Sequence, residues 1–141
     1  MKSYDYNENK IYHKYYDNSD IISGYMSLII NKNKEIIELI ESSCEGIIRI
    51  WNFHLGLLLK KIYVSEEPLR EICIWNNEYL FVGCDDKTIK LIELNNGKII
   101  KELKGHMSKV LSIKTIIHPK YGKCLISNSV DDNNIKLWGI K

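Results

Sequence analysis

Three heptapeptides in this chain are variants of one another: EGIIRIW, ending at Trp51, DKTIKLI, ending at Ile92, and DNNIKLW, ending at Trp138. The first two end 41 residues apart and the last two 46. At the 41-residue offset the flanks also align without a gap. Gly56 falls on Gly97, LLLKKI from Leu57 on KIIKEL from Lys98, and Ile72 on Ile113. A match sustained across turn, strand and next strand marks a repeat. One unit of about 40–45 residues cannot bury its apolar face alone and must stack on its neighbours.

Each unit reads as short strands between turns. In the middle unit these are LREICIW (69–75), YLFVGC (79–84), TIKLIEL (88–94) and KIIKELK (98–104). Hairpin turns are expected near 45–46, 85–87, 95–97 and 131–134, where Asn, Asp and Gly cluster. The strands are dense in Ile, Leu, Val and Tyr, which favour extended backbone. No segment keeps a 3.6-residue apolar stripe beyond two turns, so helix is disfavoured. Four antiparallel strands per repeat is the pattern of a propeller blade.

Composition narrows the function classes. In 141 residues, 45% hydrophobic content suffices for a core, and the net charge is only +2. Lysines are scattered singly or in pairs, which gives no electrostatic case for nucleic acid. Cys44, Cys73, Cys84 and Cys124 form no Cys-x-x-Cys pair, so a structural zinc site and other metal ligands are not expected. The polar and aromatic start MKSYDYNENKIYHKYYDNSD has no signal-peptide core, and no apolar run approaches a membrane span. The expectation is a reduced, intracellular protein, cytoplasmic or nuclear, with no cofactor.

The last unit carries the most specific residues. Gly105-His106, LISNSVDD from Leu125 and IKLW ending at Trp138 are similar to the Gly-His, Ser-x-Ser with turn aspartate, and strand ending of the WD-repeat β-propellers related to the transducin β subunit. The resemblance covers roughly residues 26–141. It implies an all-β fold of four-stranded antiparallel WD-repeat blades, here an incomplete propeller. Repeats are expected near 25–63, 69–104 and 105–141, with 1–9 flexible. It also implies that His106, Ser127, a turn aspartate and Trp138 form a structural hydrogen-bond network within one blade. Counting back six from Trp138 gives Asp132, and counting on four from Ser127 gives Asp131, so both stay open.

The same residue types could make a Ser-His-Asp triad. No Gly-x-Ser-x-Gly elbow or other nucleophile signature is present, so the structural reading is preferred and no catalytic residue is assigned. The other units depart from the pattern. In the first, Glu41 takes the serine position and Glu45 the turn. In the middle unit Asp86 remains, while Val82, Ile92 and Ser65 replace serine, tryptophan and histidine. These two blades are expected to rely on apolar packing. Trp75 reads as core or rim packing, His118 as solvated, and Cys84 as a small buried strand residue. His13 among Tyr12, Tyr15 and Tyr16 reads as an amphipathic strand d of an earlier blade, with an aromatic contact surface as the rival.

The strand count is a d strand, two complete units and an a-b-c set, about three blades. Propellers close with about 4–8. A fragment of a longer propeller is the favoured explanation, with a ring completed by self-association and an open arc as alternatives. The expected function is a non-enzymatic scaffold that binds protein partners through loops at 65–68 and 105–109 and the turns beside them. Glu66, Glu67 and Lys109 are the candidate contacts. The alternatives are a phosphoinositide-binding propeller, disfavoured because Arg49 and Arg70 are not adjacent, and an enzyme using the Ser/His/Asp set.

Overall fold

In YLFVGC and IIRIW nearly every residue is apolar, so these strands need cover on both faces. The computed structural model describes residues 2–5, 10–15, 25–32 and 35–140, and shows how that cover is supplied. Among the described residues there are strands and no helix. Strands β3 (Tyr25–Asn31), β4 (Glu38–Ser43), β5 (Ile47–Asn52) and β6 (Leu57–Tyr63) form one antiparallel sheet in chain order. A second is formed by β7 (Leu69–Ile74), β8 (Tyr79–Cys84), β9 (Thr88–Glu93) and β10 (Ile99–Lys104). The third has three strands, β11 (Val110–His118), β12 (Gly122–Ser129) and β13 (Lys136–Gly139).

The middle sheet shows why the units stack. Successive side chains of a strand point to opposite faces. Leu80, Val82 and Cys84 of β8, with Ile92 of β9, pack against Ile40, Ile48, Ile50 and Ile62 of the first sheet. The alternate residues Phe81, Ile89 and Leu91 pack against Val110, Ile113 and Leu125 of the third. Each such side chain contributes about 1.5–3 kcal/mol relative to leaving it in water. Burial is greatest on the second and third strands of the first two units, and β10 is almost wholly exposed. At Gly83 a Cβ would stand 2.9 Å from the Val110 carbonyl oxygen, so the second and third sheets approach closely because this residue has no side chain.

The first strands of the units are also stitched together. Each carries a register shift near its start, between Tyr25 and Ser27, Leu69 and Ile72, and Val110 and Ser112. A residue at or beside each of the first two bulges accepts a backbone N–H from the next unit. Ile72 N–H donates to Ser27 Oγ (3.3 Å), and Ile113 N–H to Glu71 Oε2 (2.7 Å). Ser112 Oγ donates to the same carboxylate at 2.5 Å.

The turns fall where Asn, Asp and Gly cluster. Some strand bounds differ from expectation by one residue, with β9 ending at Glu93 and β10 starting at Ile99. Trp75 lies just past β7 and its N–H closes onto Tyr79 O, so the strand is one residue shorter. The segment expected as strand d of an earlier blade contains β2 (Lys10–Lys14), which pairs antiparallel with β1 (Lys2–Asp5). Lys2–Asp5 is thus a strand within the segment expected to be flexible, whose remaining residues lie outside the described ones, as does Tyr16. Tyr15 packs on the first sheet, edge-on to Trp51 at 5.9 Å, and donates to Phe53 O at 2.5 Å.

Apolar packing is not what distinguishes the first two blades. Glu41 and Arg49 face each other across β4 and β5, fully buried, with Nη1–Oε1 at 3.0 Å. Burial pushes the Glu41 carboxyl up to about 7 despite the guanidinium. In the second blade Arg70 grips Asp85 with two bonds, 2.6 and 2.8 Å. Lys90 is buried between Asp86 (2.6 Å) and Glu102 (3.0 Å). The expected hydrophobic packing is therefore joined by ion pairs, because a strand buried on both faces must partner any charge it carries.

Glu41→Leu should destabilise the fold by about 3–5 kcal/mol in chemical denaturation, because the buried Arg49 loses its carboxylate. Adding Arg49→Met should recover most of that loss. Since Glu41 ionises near 4.5 when unfolded and about 7 when folded, its contribution should fall as pH rises through that window. Glu41→Gln should remove this part of the pH profile.

Candidate functional site

In a four-stranded antiparallel unit, the turn between the second and third strands lies at the same end as the loop entering the first. The polar residues singled out in the last repeat meet at that end. His106 and Asp132 come from the entry loop and the β12–β13 turn, and Ser127 and Trp138 from the strands themselves. His106 Nδ1 lies 2.5 Å from Asp132 Oδ2, and His106 Nε2 2.6 Å from Ser127 Oγ. Trp138 Nε1–H donates to Ser127 Oγ at 2.7 Å.

The indole N–H can only donate, so Ser127 Oγ must accept from it. The serine proton is then available to His106 Nε2, and the imidazole donates from Nδ1 to the aspartate. Met107 N–H also donates to Asp132 Oδ1, at 3.1 Å. Gly105 makes room, since a Cβ there would press on the Trp138 ring at 3.1 Å. Asp132 is the aspartate of this network. Asp131 instead accepts from Ser108 Oγ at 3.1 Å. The ambiguous residue count thus resolves into two carboxylates that tie the same turn to three successive residues of the entry loop, His106, Met107 and Ser108.

His106, Ser127 and Asp132 have the connectivity of a catalytic triad, but Ser127 is not presented to a substrate. It is 3% exposed, and its oxygen already accepts the tryptophan N–H. The cleft it borders holds about 80 Å³ and is otherwise lined by Ser112, Lys114, Ile126, Asn128 and Ile135. Small-molecule sites are usually several-fold larger. The arrangement instead satisfies groups whose burial would otherwise be costly. The hydrogen bond from His106, joined by the Met107 N–H, holds the Asp132 carboxyl below the usual carboxylate range.

The neighbouring loops gather at the same end. Val64 and Ser65 N–H donate to Gly46 O, Asp85 N–H to Pro68 O, and Val130 N–H to Lys109 O. The first hairpin turn is thereby fixed to the loop entering the next blade, and the second and third to the loops entering their own blades. Glu66 and Glu67 stand exposed beside this framework. Lys109 reaches Asp85 at 3.6 Å, on the carboxylate that Arg70 grips. Arg70 and Asp85 escaped the sequence reading, although an acid opening the DDK turn and an arginine at the start of the preceding strand were a usable signal.

Stacked four-stranded sheets with a Gly-His loop tied to a Ser–Asp–Trp hairpin define β-propeller blades of the WD type. The family model described as WD domain, G-beta repeat matches residues 97–139. The WD repeat domain-containing protein 83 homolog of Dictyostelium discoideum is 30% identical over 102 residues, 72% of this chain and 30% of that protein. The U3 small nucleolar RNA-associated protein 21 homolog of Schizosaccharomyces pombe is 28% identical over 102 residues, 72% of this chain and 11% of its own length. Among solved structures, the WD40 β-propeller domain of Doa1 superposes with a TM-score of 0.64 at 19% identity, over 72% of this chain and 32% of that one. The chain belongs to the WD-repeat β-propeller family and forms a partial propeller of about three blades. It spans less than a third of the length of these two relatives.

Asp132→Ala should lower the melting temperature more than Asp131→Ala, because only Asp132 anchors the buried histidine. A depressed carboxylate pKa adds stability that is full above the ordinary range and lost as pH falls through the depressed value. The difference between Asp132→Ala and wild type should therefore shrink in acid. Equal melting temperatures for all three proteins at neutral pH would contradict this assignment.

Proposed function

We propose that this chain is a non-enzymatic scaffold that binds partner proteins through the loops at 65–68 and 105–109 and the turns at 45–46, 85–87 and 131–134. The observation that carries the reading is the fate of Ser127. The His106, Ser127 and Asp132 set, which has the types needed for acyl chemistry, is spent inside the blade, its serine oxygen capped by Trp138 Nε1–H. What remains at that end is a backbone framework held by turn-to-loop hydrogen bonds, with Glu66, Glu67 and Met107 projecting from it. Met107 is 81% exposed, as a contact residue would be. Loops on a rigid frame are where binding usually resides.

The phosphoinositide alternative loses its residues. Arg49 is buried against Glu41, and Arg70 is gripped by Asp85. No helix among the described residues is long and apolar enough to cross a membrane. The relatives' names fit intracellular assemblies, and an intracellular location is part of the proposal. So is association of chains through blade faces, because Ile135 stands open on the third blade.

A pull-down comparing wild type with Glu66→Lys and Lys109→Glu tests the reading. Both variants should fold normally and recover partners several-fold less well. Unchanged recovery with both, together with loss on substituting exposed β10 residues such as Lys101, would move the binding surface to the outer strands.

A further inference from the structure

The opposite end of the blades carries a separate surface. Between Glu102 and Asp131 the sequence contains no Asp or Glu, but has Lys104, Lys109, Lys114, Lys120 and Lys123. The chain as a whole is nearly neutral, and three of these lysines, Lys114, Lys120 and Lys123, lie on the β11–β12 hairpin, which has no acidic residue. Two of the five are engaged by carboxylates, Lys109 by Asp85 and Lys114 by Glu71. Lys120 and Lys123, at the β11–β12 tip, have no carboxylate partner among the described residues. Lys123 Nζ instead sits 4.4 Å from the Trp75 ring centroid and donates to Trp75 O. Lys120 Nζ lies 5.2 Å from the centre of the Tyr121 ring.

The tip is held in shape. His118 Nδ1 accepts from the Lys120 and Tyr121 N–H groups at 3.1 and 3.3 Å, and its ring stacks on Tyr121 at 4.7 Å. His118 is thus half-buried in a fixed turn, where the sequence suggested free solvation. Tyr121 is 60% exposed and Ile117 77%. Beside them a cleft of about 390 Å³ is lined by Tyr121, Lys123, Cys124, Leu137, Gly139 and Ile140. Its walls are largely apolar, its rim is cationic, and none of its lining residues is acidic. Glu78 and Glu93 lie at the same end of the second blade, and Glu93 is held by Asn96 Nδ2 at 2.5 Å.

We propose that the β11–β12 tip of the third blade binds an acidic peptide segment, its carboxylates on Lys120 and Lys123 and an aliphatic or aromatic side chain in the Tyr121–Leu137–Ile140 cleft. This deepens the scaffold reading and rests on it, but uses the end of the blades opposite to the loops discussed above. Charge complementarity selects the anionic partner. The apolar cleft selects peptide over nucleic acid, which would need open aromatic faces for base stacking. Here Lys123 covers the Trp75 ring, and Tyr121 is already stacked on His118.

Fluorescence anisotropy with a fluorescein-labelled Glu-Glu-Phe-Glu-Leu-Asp-Glu peptide tests this on the full chain. A version with lysine for every acid and a ten-nucleotide oligouridylate serve as competing probes. The acidic peptide should bind, weaken with added salt, and lose at least about tenfold in affinity with Lys120→Glu combined with Lys123→Glu. Tyr121→Ala should weaken it several-fold without altering the salt dependence. Lys120→Glu alone removes only an exposed side chain, so a loss there cannot be assigned to misfolding. Glu66→Lys and Lys109→Glu should leave peptide binding unchanged. Equal or tighter binding of oligouridylate, or binding insensitive to the tip variants, would overturn the proposal. Absence of peptide binding would overturn this site alone, because the scaffold reading stands or falls on the loop variants in the pull-down.

Discussion

A four-stranded sheet whose central strands are apolar on both faces is not stable alone in water. That constraint organises the rest of the molecule. The middle sheet meets it fully, with Leu80, Val82 and Ile92 turned to one neighbour and Phe81, Ile89 and Leu91 to the other. Stacking, rather than closure of a single core, is the source of stability, as expected of repeat architectures. Register follows from the same constraint. A slip of one residue in β8 would exchange the two sets and place Gly83 where bulk is needed.

Within that stack, each hairpin between the second and third strands of a blade needs a polar tie, and the three blades answer differently. The third uses a neutral chain of hydrogen bonds ending on Asp132. The first buries a carboxylate–guanidinium pair, Glu41 with Arg49, directly opposite each other in register. The second clusters Asp86, Thr88 and Glu102 around Lys90 Nζ, and uses Asp85 to hold Arg70. For Asp85, the Arg70 hydrogen bond is the main reason its carboxyl stays below the usual range. One geometric need is met by three chemistries, which is why these repeats resemble each other so loosely.

Strand positions were legible in the sequence because two-sided burial leaves an unusual trace, short wholly apolar runs cut by Asn, Asp and Gly. The His106, Ser127 and Trp138 set was legible by resemblance. The choice between Asp131 and Asp132 was not, since the turn has one extra residue and only the loop opposite shows which carboxylate faces His106. The Glu41–Arg49 pair was missed because Glu41 was read as a lost serine. Counting outward from the 44–46 turn would have placed it against Arg49. Contacts of long sequence separation left no trace at all. Lys123 and Trp75 meet across blades.

The central claim is that the last blade's polar residues act as one structural unit through Ser127. A double-mutant cycle with His106→Ala and Trp138→Phe, read by urea denaturation, tests it most directly. The two side chains both hydrogen-bond the Ser127 hydroxyl. The account predicts that the double variant is less destabilised than the sum of the single variants, by about 0.5–3 kcal/mol. Additivity within about 0.3–0.5 kcal/mol would contradict it, because independent residues behave that way.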